Sequence, residues 1–95
     1  MIKHIVFFKL KDDSDEQKEI VKEKLLSLKE NVKVLKKIEV GINFCNEDRA
    51  YDLALLTDFK TKEDLDIYAI DPFHLEIVSY IKSVTLSSKV VDYIY

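Results

Sequence analysis

The chain is poor in the residues that interrupt or cross-link a protein fold. Its 95 residues include one glycine, one proline, one cysteine and no tryptophan. So little glycine and proline excludes collagen-like and low-complexity sequences, and a single cysteine excludes an intrachain disulfide. Cys45 has no activating base near it in sequence, so we interpret it as a passive free thiol. What remains is the composition of one ordinary globular domain, residues 1–95.

The chain also has no strong excess of positive or negative charge. The formal net charge is -3, and lysines and acids are interspersed along the chain. Such a pattern gives no electrostatic footprint for nucleic acid or for an anionic membrane. The start "MIKHIVFFKL" has an apolar run of only Ile5 to Phe8 and no small-residue cleavage site, so it predicts a strand and not a signal peptide. With no apolar segment of transmembrane length, we expect a cytoplasmic protein without nucleic-acid or membrane partners.

Hydrophobic periodicity predicts four strands and three helical segments. Ser14, with acids after it and Gln17 three residues on, predicts a capping box, and Thr61 predicts a second cap. Asp71 and Pro72 predict a helix end followed at once by a new start, because proline disfavours a helical residue before it but suits a first helical turn. The predicted strands are Ile2–Leu10, Leu35–Cys45, Tyr51–Phe59 and the closing "KVVDYIY", and the predicted helices are Asp15–Glu30, Thr61–Ile70 and Pro72–Val84.

This order of elements predicts an α+β fold of the ferredoxin-like βαββαβ type, with a four-stranded antiparallel sheet. One layer of helices covers only one face of that sheet. The other face keeps Ile5, Phe7, Leu56 and one side of the last strand as an apolar patch. A patch of this kind predicts an interface, and pairing of two sheet faces about a two-fold axis makes a homodimer.

Four segments spread over nearly the whole chain resemble one known family. They are "KHIVFFKLKD", "YDLALLTDF", "YAIDPFH" and "VVDY". Together they resemble the stress-responsive dimeric α/β-barrel domain, abbreviated Dabb. The resemblance implies ferredoxin-like protomers whose sheets face each other in a homodimeric barrel. It also implies a cavity in each protomer between its own sheet and helices.

The resemblance further implies candidate site residues. One branch of the family comprises plant polyketide cyclases, which close a linear polyketide by aldol condensation without metal or organic cofactor. Their tyrosine and histidine at the break between helices correspond to Tyr68 and His74, and a histidine in the first strand corresponds to His4. The usual family pattern has histidine before the proline, where this chain has Asp71.

The chemistry of these side chains suggests a function independently of the resemblance. The tyrosine hydroxyl would donate a hydrogen bond to a carbonyl or enolate oxygen, and a neutral histidine would act as general base. The start of a helix favours neutral His74 and the nearby Asp71 favours the protonated ring, a balance that sequence leaves open. We expect a cavity whose lining includes His4, Val6, Phe8, Leu55, Tyr68 and His74.

A plainer interpretation stands beside this one. His74 would be a polar residue at a helix start, Tyr68 a core aromatic and His4 a satisfied core histidine. The spacing of His4, Asp71 and His74 matches no metal motif, so we expect neither metal nor cofactor. Two functions therefore remain: a dimeric module that binds a small apolar carbonyl or polyketide-like ligand, or a cofactor-free acid/base enzyme acting as cyclase, isomerase or monooxygenase.

Overall fold

The computed structural model describes all 95 residues, which form an α+β fold. The predicted ferredoxin-like βαββαβ fold is confirmed, with one extra helical turn. In chain order the elements are β1 (Ile2–Leu10), α1 (Asp15–Leu26), α2 (Leu28–Asn31), β2 (Lys37–Ile42), β3 (Leu53–Phe59), α3 (Lys62–Ile70), α4 (Pro72–Val84) and β4 (Thr85–Ile94).

The four strands form one antiparallel sheet in the order β2-β3-β1-β4. The central strand β1 therefore has a partner on each side. Its register places His4 between Thr57 of β3 and Asp92 of β4. Because side chains alternate along a strand, these three residues lie on the same face of the sheet, the one that packs against the helices.

The first helix begins as predicted but ends early. The Ser14 hydroxyl accepts a hydrogen bond from the Gln17 amide at 3.2 Å, whereas the Gln17 side chain donates to the Tyr80 hydroxyl and does not close the capping box. The predicted single helix Asp15–Glu30 is interrupted at Ser27, whose hydroxyl donates back to the carbonyl of Lys24. Serine hydroxyls that bond to the preceding turn bend helices, which accounts for the break.

The second strand is shorter than predicted at both ends. Leu35 is buried in the turn before β2, where its amide bonds to the carbonyl of Val32. At the other end the Asn43 side chain accepts from the amide of Cys45 and donates to the carbonyl of the same residue. An asparagine that bonds to nearby backbone in this way replaces the strand ladder with a turn.

The helix break at the single proline is confirmed. Thr61 caps α3 by accepting from the Asp64 amide, and the Asp71 carboxylate caps α4 by accepting from the amides of Phe73 and His74 at 2.8 and 3.2 Å. These bonds satisfy amides at the helix starts that have no partner within the helix. The break therefore fixes where the last residues of α3 and the first residues of α4 lie.

The last strand begins four residues earlier than predicted, directly after α4. Thr85 pairs with Leu10 and Ser88 pairs with Phe8. Pairing with β1 therefore extends β4 over the polar residues that precede the predicted strand. The helices stop short of β4, which leaves Val90 and Ile94 exposed on the inner face as well as Val91 on the outer face. Because β4 is an edge strand, both of its faces are exposed, and the face predicted to join the apolar patch, with Val91 and Tyr93, is one of them.

The core fills the space between the sheet and its single helical layer. Phe59, Leu25 and Val21 are fully buried there. The opposite face of the sheet has no cover, and Phe7 is 44% exposed. No helix has the length and the apolar character needed to cross a membrane.

Candidate functional site

A cavity of about 300 Å³ lies between the inner face of the sheet and helix α4. Strands β1, β3 and β4 form one wall, and the helices form the other. Apolar side chains make up most of its lining, which suits a small organic ligand. The structure brings the six residues expected at a cavity to this one place: His4, Val6, Phe8, Leu55, Tyr68 and His74.

Tyr68 is the most buried polar residue of this cavity. It lies near the end of α3 and is 1% exposed, with its ring 4.9 Å from that of Phe59. Its hydroxyl has no hydrogen-bond partner within the chain. Burial raises the pKa of the Tyr68 phenol far above its ordinary value, so the group stays protonated. Tyr68 is thus a hydrogen-bond donor without an acceptor in the protein.

His74 lies against Tyr68 at the start of α4, with ring centroids 4.0 Å apart. Burial lowers the pKa of His74, and the charge of His4 acts in the same direction. The carbonyl of Ala69 and the carboxylate of Asp71 oppose this shift but are outweighed. The balance that sequence left open therefore favours the neutral imidazole.

The tautomer of His74 follows from one contact. Its Nδ1 atom lies 3.4 Å from the carbonyl oxygen of Ala69. A carbonyl oxygen only accepts, so in the neutral ring Nδ1 carries the proton and Nε2 keeps a lone pair. That nitrogen has the electronic character of a base or acceptor.

His4 has a partner that sequence reasoning missed. Its Nδ1 atom is hydrogen-bonded to the carboxylate of Asp92 on β4. The His4 ring meets that of Tyr68 edge-on, with centroids 6.2 Å apart. The signal was present in the "VVDY" segment, because an acid in the last strand of a ferredoxin-like sheet faces the neighbouring first strand. Finding the pair required the register that sets Asp92 opposite His4.

Sequence reasoning also missed the polar residues at the other end of the cavity. Lys82, Thr85 and Ser88 line it there. One signal for the lysine is the spacing of His74, Val78 and Lys82, since residues four apart share one helix face. The hydroxyls could not be located from sequence, because Thr85 and Ser88 belong to the part of β4 that was not predicted as strand.

The side chains at the cavity do not form a metal site. The structure contains no cluster of three or more histidine, cysteine or acidic residues arranged to hold a metal ion. Asp71 directs its carboxylate to the amides of α4 and Asp92 bonds to His4. The polar chemistry at the Tyr68 end of the cavity is thus that of one phenol and two imidazoles.

These features define a ferredoxin-like α+β protein with a cavity between sheet and helices. The chain belongs to the stress responsive A/B barrel domain family, Dabb, whose model matches residues 2–95. The resemblance inferred from sequence is therefore confirmed. A comparison with curated proteins found no match.

Solved structures of the same fold are numerous. A dimeric protein of unknown function with a ferredoxin-like fold from Bacteroides fragilis is 33% identical, over 99% of this chain and 95% of that one, with a TM-score of 0.80. A dimeric ferredoxin-like protein of unknown function from Thermobifida fusca is 23% identical over 99% and 90%, with a TM-score of 0.85. The hydroxynitrile lyase of Passiflora edulis is also 23% identical, over 99% and 92%, with a TM-score of 0.86. At these last two identities the likeness concerns the fold alone.

Proposed function

We propose that the protein is a homodimer in which each protomer binds a small, largely apolar carbonyl compound in the cavity beside Tyr68. The observation that carries this proposal is the buried Tyr68 hydroxyl without a partner. An unpaired buried hydroxyl costs stability, and proteins keep such groups when a ligand supplies the missing acceptor. A carbonyl oxygen is the acceptor that matches a neutral phenol amid apolar walls.

The remaining lining supports a ligand of this class. Val6, Leu55 and Ile77 offer apolar contacts, and His74 adds an imidazole that burial keeps neutral. No aspartate or glutamate lines the cavity, so a carbonyl oxygen meets no carboxylate there. A cavity of about 300 Å³ is at the small end of the range for organic ligands.

Homodimer formation is supported by the uncovered face of the sheet. Phe7 and Tyr93 are 44% and 45% exposed on that face. Ile5 on β1 and Leu56 on β3 belong to the same face and are partly buried. Apolar residues clustered on one open sheet face are characteristic of an interface. The Bacteroides fragilis protein of the same fold is dimeric. Two sheet faces related by a two-fold axis would cover each other.

A titration with decan-2-one tests the ligand proposal. We expect amide resonances of β1, α3 and α4 around the cavity to shift in a saturable way in two-dimensional nuclear magnetic resonance spectra. Val6→Trp fills the cavity and should abolish binding, while Ile20→Trp, which alters a separate hollow between α1 and α4, should not. Absence of saturable shifts in the folded wild-type protein would refute the proposal.

An enzymatic version of the same site is the second candidate. His74 Nε2 would remove a proton from the carbon next to the carbonyl, and the electron pair of that C–H bond would move to the carbonyl oxygen. Tyr68 would stabilise the resulting enolate by donating its hydroxyl hydrogen bond. The observation that favours this candidate is the neutral state of His74 at 4.0 Å, centroid to centroid, from Tyr68. Cyclisation or isomerisation of a carbonyl compound begins with such an enolate.

Proton exchange separates the two candidates. In heavy water, an enzyme of this kind replaces the protons next to the decan-2-one carbonyl by deuterium, which proton spectra detect directly. We expect acceleration by the wild-type protein, and loss of acceleration in His74→Gln while binding persists. Binding without any accelerated exchange would leave the binding module as the function.

A further inference from the structure

We infer that the ligand carries a carboxylate, held at the end of the cavity that Lys82, Thr85 and Ser88 line. This inference rests on the proposed binding function and extends it to a ligand class: an elongated apolar acid with a carbonyl group at its other end. The two ends of the cavity differ in chemistry, and this difference is what selects such a molecule.

The register of the sheet separates the two ends. His4 is paired with Asp92 at one end, and Phe8 is paired with Ser88 at the other. Four residues along an extended strand span about 13 Å, so the lining of the cavity extends about that far along β1. Tyr68 and His74 belong to the His4 end, and Thr85 pairs with Leu10 just beyond Phe8. The stretch between the ends is apolar, and there Val6 and Val90 lie side by side on β1 and β4 in the sheet wall of the cavity.

Lys82 brings to this second end a positive charge that the chain does not neutralise. It lines the cavity from α4 and forms neither an ion pair nor a side-chain hydrogen bond with any residue. The lining contains no aspartate or glutamate. Apart from its two histidines, the cavity therefore offers a ligand one cation and no anion. Complementary charge is the property by which such a site prefers an acid over a neutral analogue.

The amount of charge indicates a carboxylate and not a phosphate. One ammonium with two nearby hydroxyl-bearing residues, Thr85 and Ser88, matches a singly charged group with two oxygens. Phosphate sites usually combine more cationic groups with several backbone amides at a helix start. Lys82 lies in the last turn of α4, where the free backbone groups are carbonyls and not amides.

Paired ligands of equal shape test the inference. Decanoic acid and decanamide have nearly the same size but differ in charge, and both bind through the same apolar chain. We expect the wild-type protein to bind the acid about two- to fivefold more tightly than the amide, as measured by calorimetry, because Lys82 is exposed to solvent and an exposed ion pair is weak. The preference should fall in high salt, since salt screens exposed charges.

Variants that remove or keep the positive charge show whether Lys82 causes the preference for the acid. Lys82→Gln should bring the acid-to-amide ratio close to one, whereas Lys82→Arg should retain it. Lys29→Gln, which removes an exposed charge on α2 that does not line the cavity, should leave the ratio unchanged. Circular dichroism verifies that each variant is folded.

The outcomes are separable from those of the proposed function. Equal affinity of the wild-type protein for acid and amide would overturn the carboxylate inference but keep the cavity as a binding site. A preference for the acid that survives in Lys82→Gln would also overturn it, because another cation would then be responsible. Failure of both ligands and of decan-2-one to bind would overturn the proposed function together with the inference.

Discussion

The ring of His74 lies on the ring of Tyr68, with centroids 4.0 Å apart and planes inclined by 34°. The two residues are six apart in sequence, and a continuous helix would turn them toward different faces. Pro72 and the capping carboxylate of Asp71 start a new helix between them and so bring the two rings together. A hydrogen-bond donor and a neutral imidazole thereby meet at one cavity.

Two tyrosines should respond oppositely to loss of their hydroxyls. Tyr68→Phe removes a buried group without a partner, so we expect the free energy of unfolding to stay equal or rise by up to about 1 kcal/mol. Tyr80→Phe is the matched control, because its hydroxyl accepts from Gln17 and its loss should cost about 0.5–1.5 kcal/mol. Urea unfolding measures both values. A clear loss of stability in Tyr68→Phe would mean that the hydroxyl has a partner.

His74 should make the stability depend on pH. Its pKa in the folded protein is below the ordinary value of 6.5, so the unfolded chain binds a proton more readily than the folded one. The contribution of His74 to stability is complete above pH 6.5 and is lost as pH falls through that value toward the lower folded pKa.

The measurement compares urea unfolding of the wild-type protein and His74→Gln at about pH 7.5 and about pH 5 and at constant ionic strength. The wild-type protein should lose more stability between the two conditions than the variant does. Parallel losses in the two proteins would contradict the lowered pKa of His74.

Asp71 should contribute to stability as a helix cap. Its carboxylate accepts from two amides of α4, so Asp71→Ala should lower the free energy of unfolding by about 0.5–2 kcal/mol. Asp71→Asn keeps a capping oxygen and should lose much less. If denaturation shows no loss for the alanine variant, the cap is not what sets the start of α4.

The outer sheet face should control assembly. Phe7→Asp places a charge in the apolar patch, and we expect monomers or aggregates in sedimentation experiments. Leu75→Asp is the control, since this exposed residue lies on α4, on the other side of the molecule from the patch. A Phe7→Asp protein that remains a fully folded dimer would exclude this face as the interface.

Sequence reasoning predicted the fold well where local signals agree with tertiary structure. The strand β1 and the helix α4 have the predicted bounds, because alternation is clear in the first and Asp71 with Pro72 marks the second. It erred where side chains bond to their own backbone, at Ser27 and Asn43. Periodicity does not include such bonds.

The polar environment of the cavity was harder to predict. Tyr68 and His74 were accessible through the helix break, but the partner of His4 depends on pairing with a strand 88 residues away. Lys82 was overlooked because a lysine on an amphipathic helix normally belongs to the solvated face. Both residues become candidates only when strand register and helix placement are known.

The carbonyl carbon of bound decan-2-one, labelled with carbon-13, tests the central claim most directly. A hydrogen bond from the Tyr68 hydroxyl withdraws electron density from that carbon, so its resonance in the wild-type complex should lie downfield of that of the same ketone in an apolar solvent. The shift should disappear in Tyr68→Phe, which keeps the shape of the cavity, and remain in Tyr80→Phe. A bound ketone whose carbonyl resonance is the same in the wild-type and Tyr68→Phe proteins would contradict the assignment of Tyr68 as the donor to the ligand.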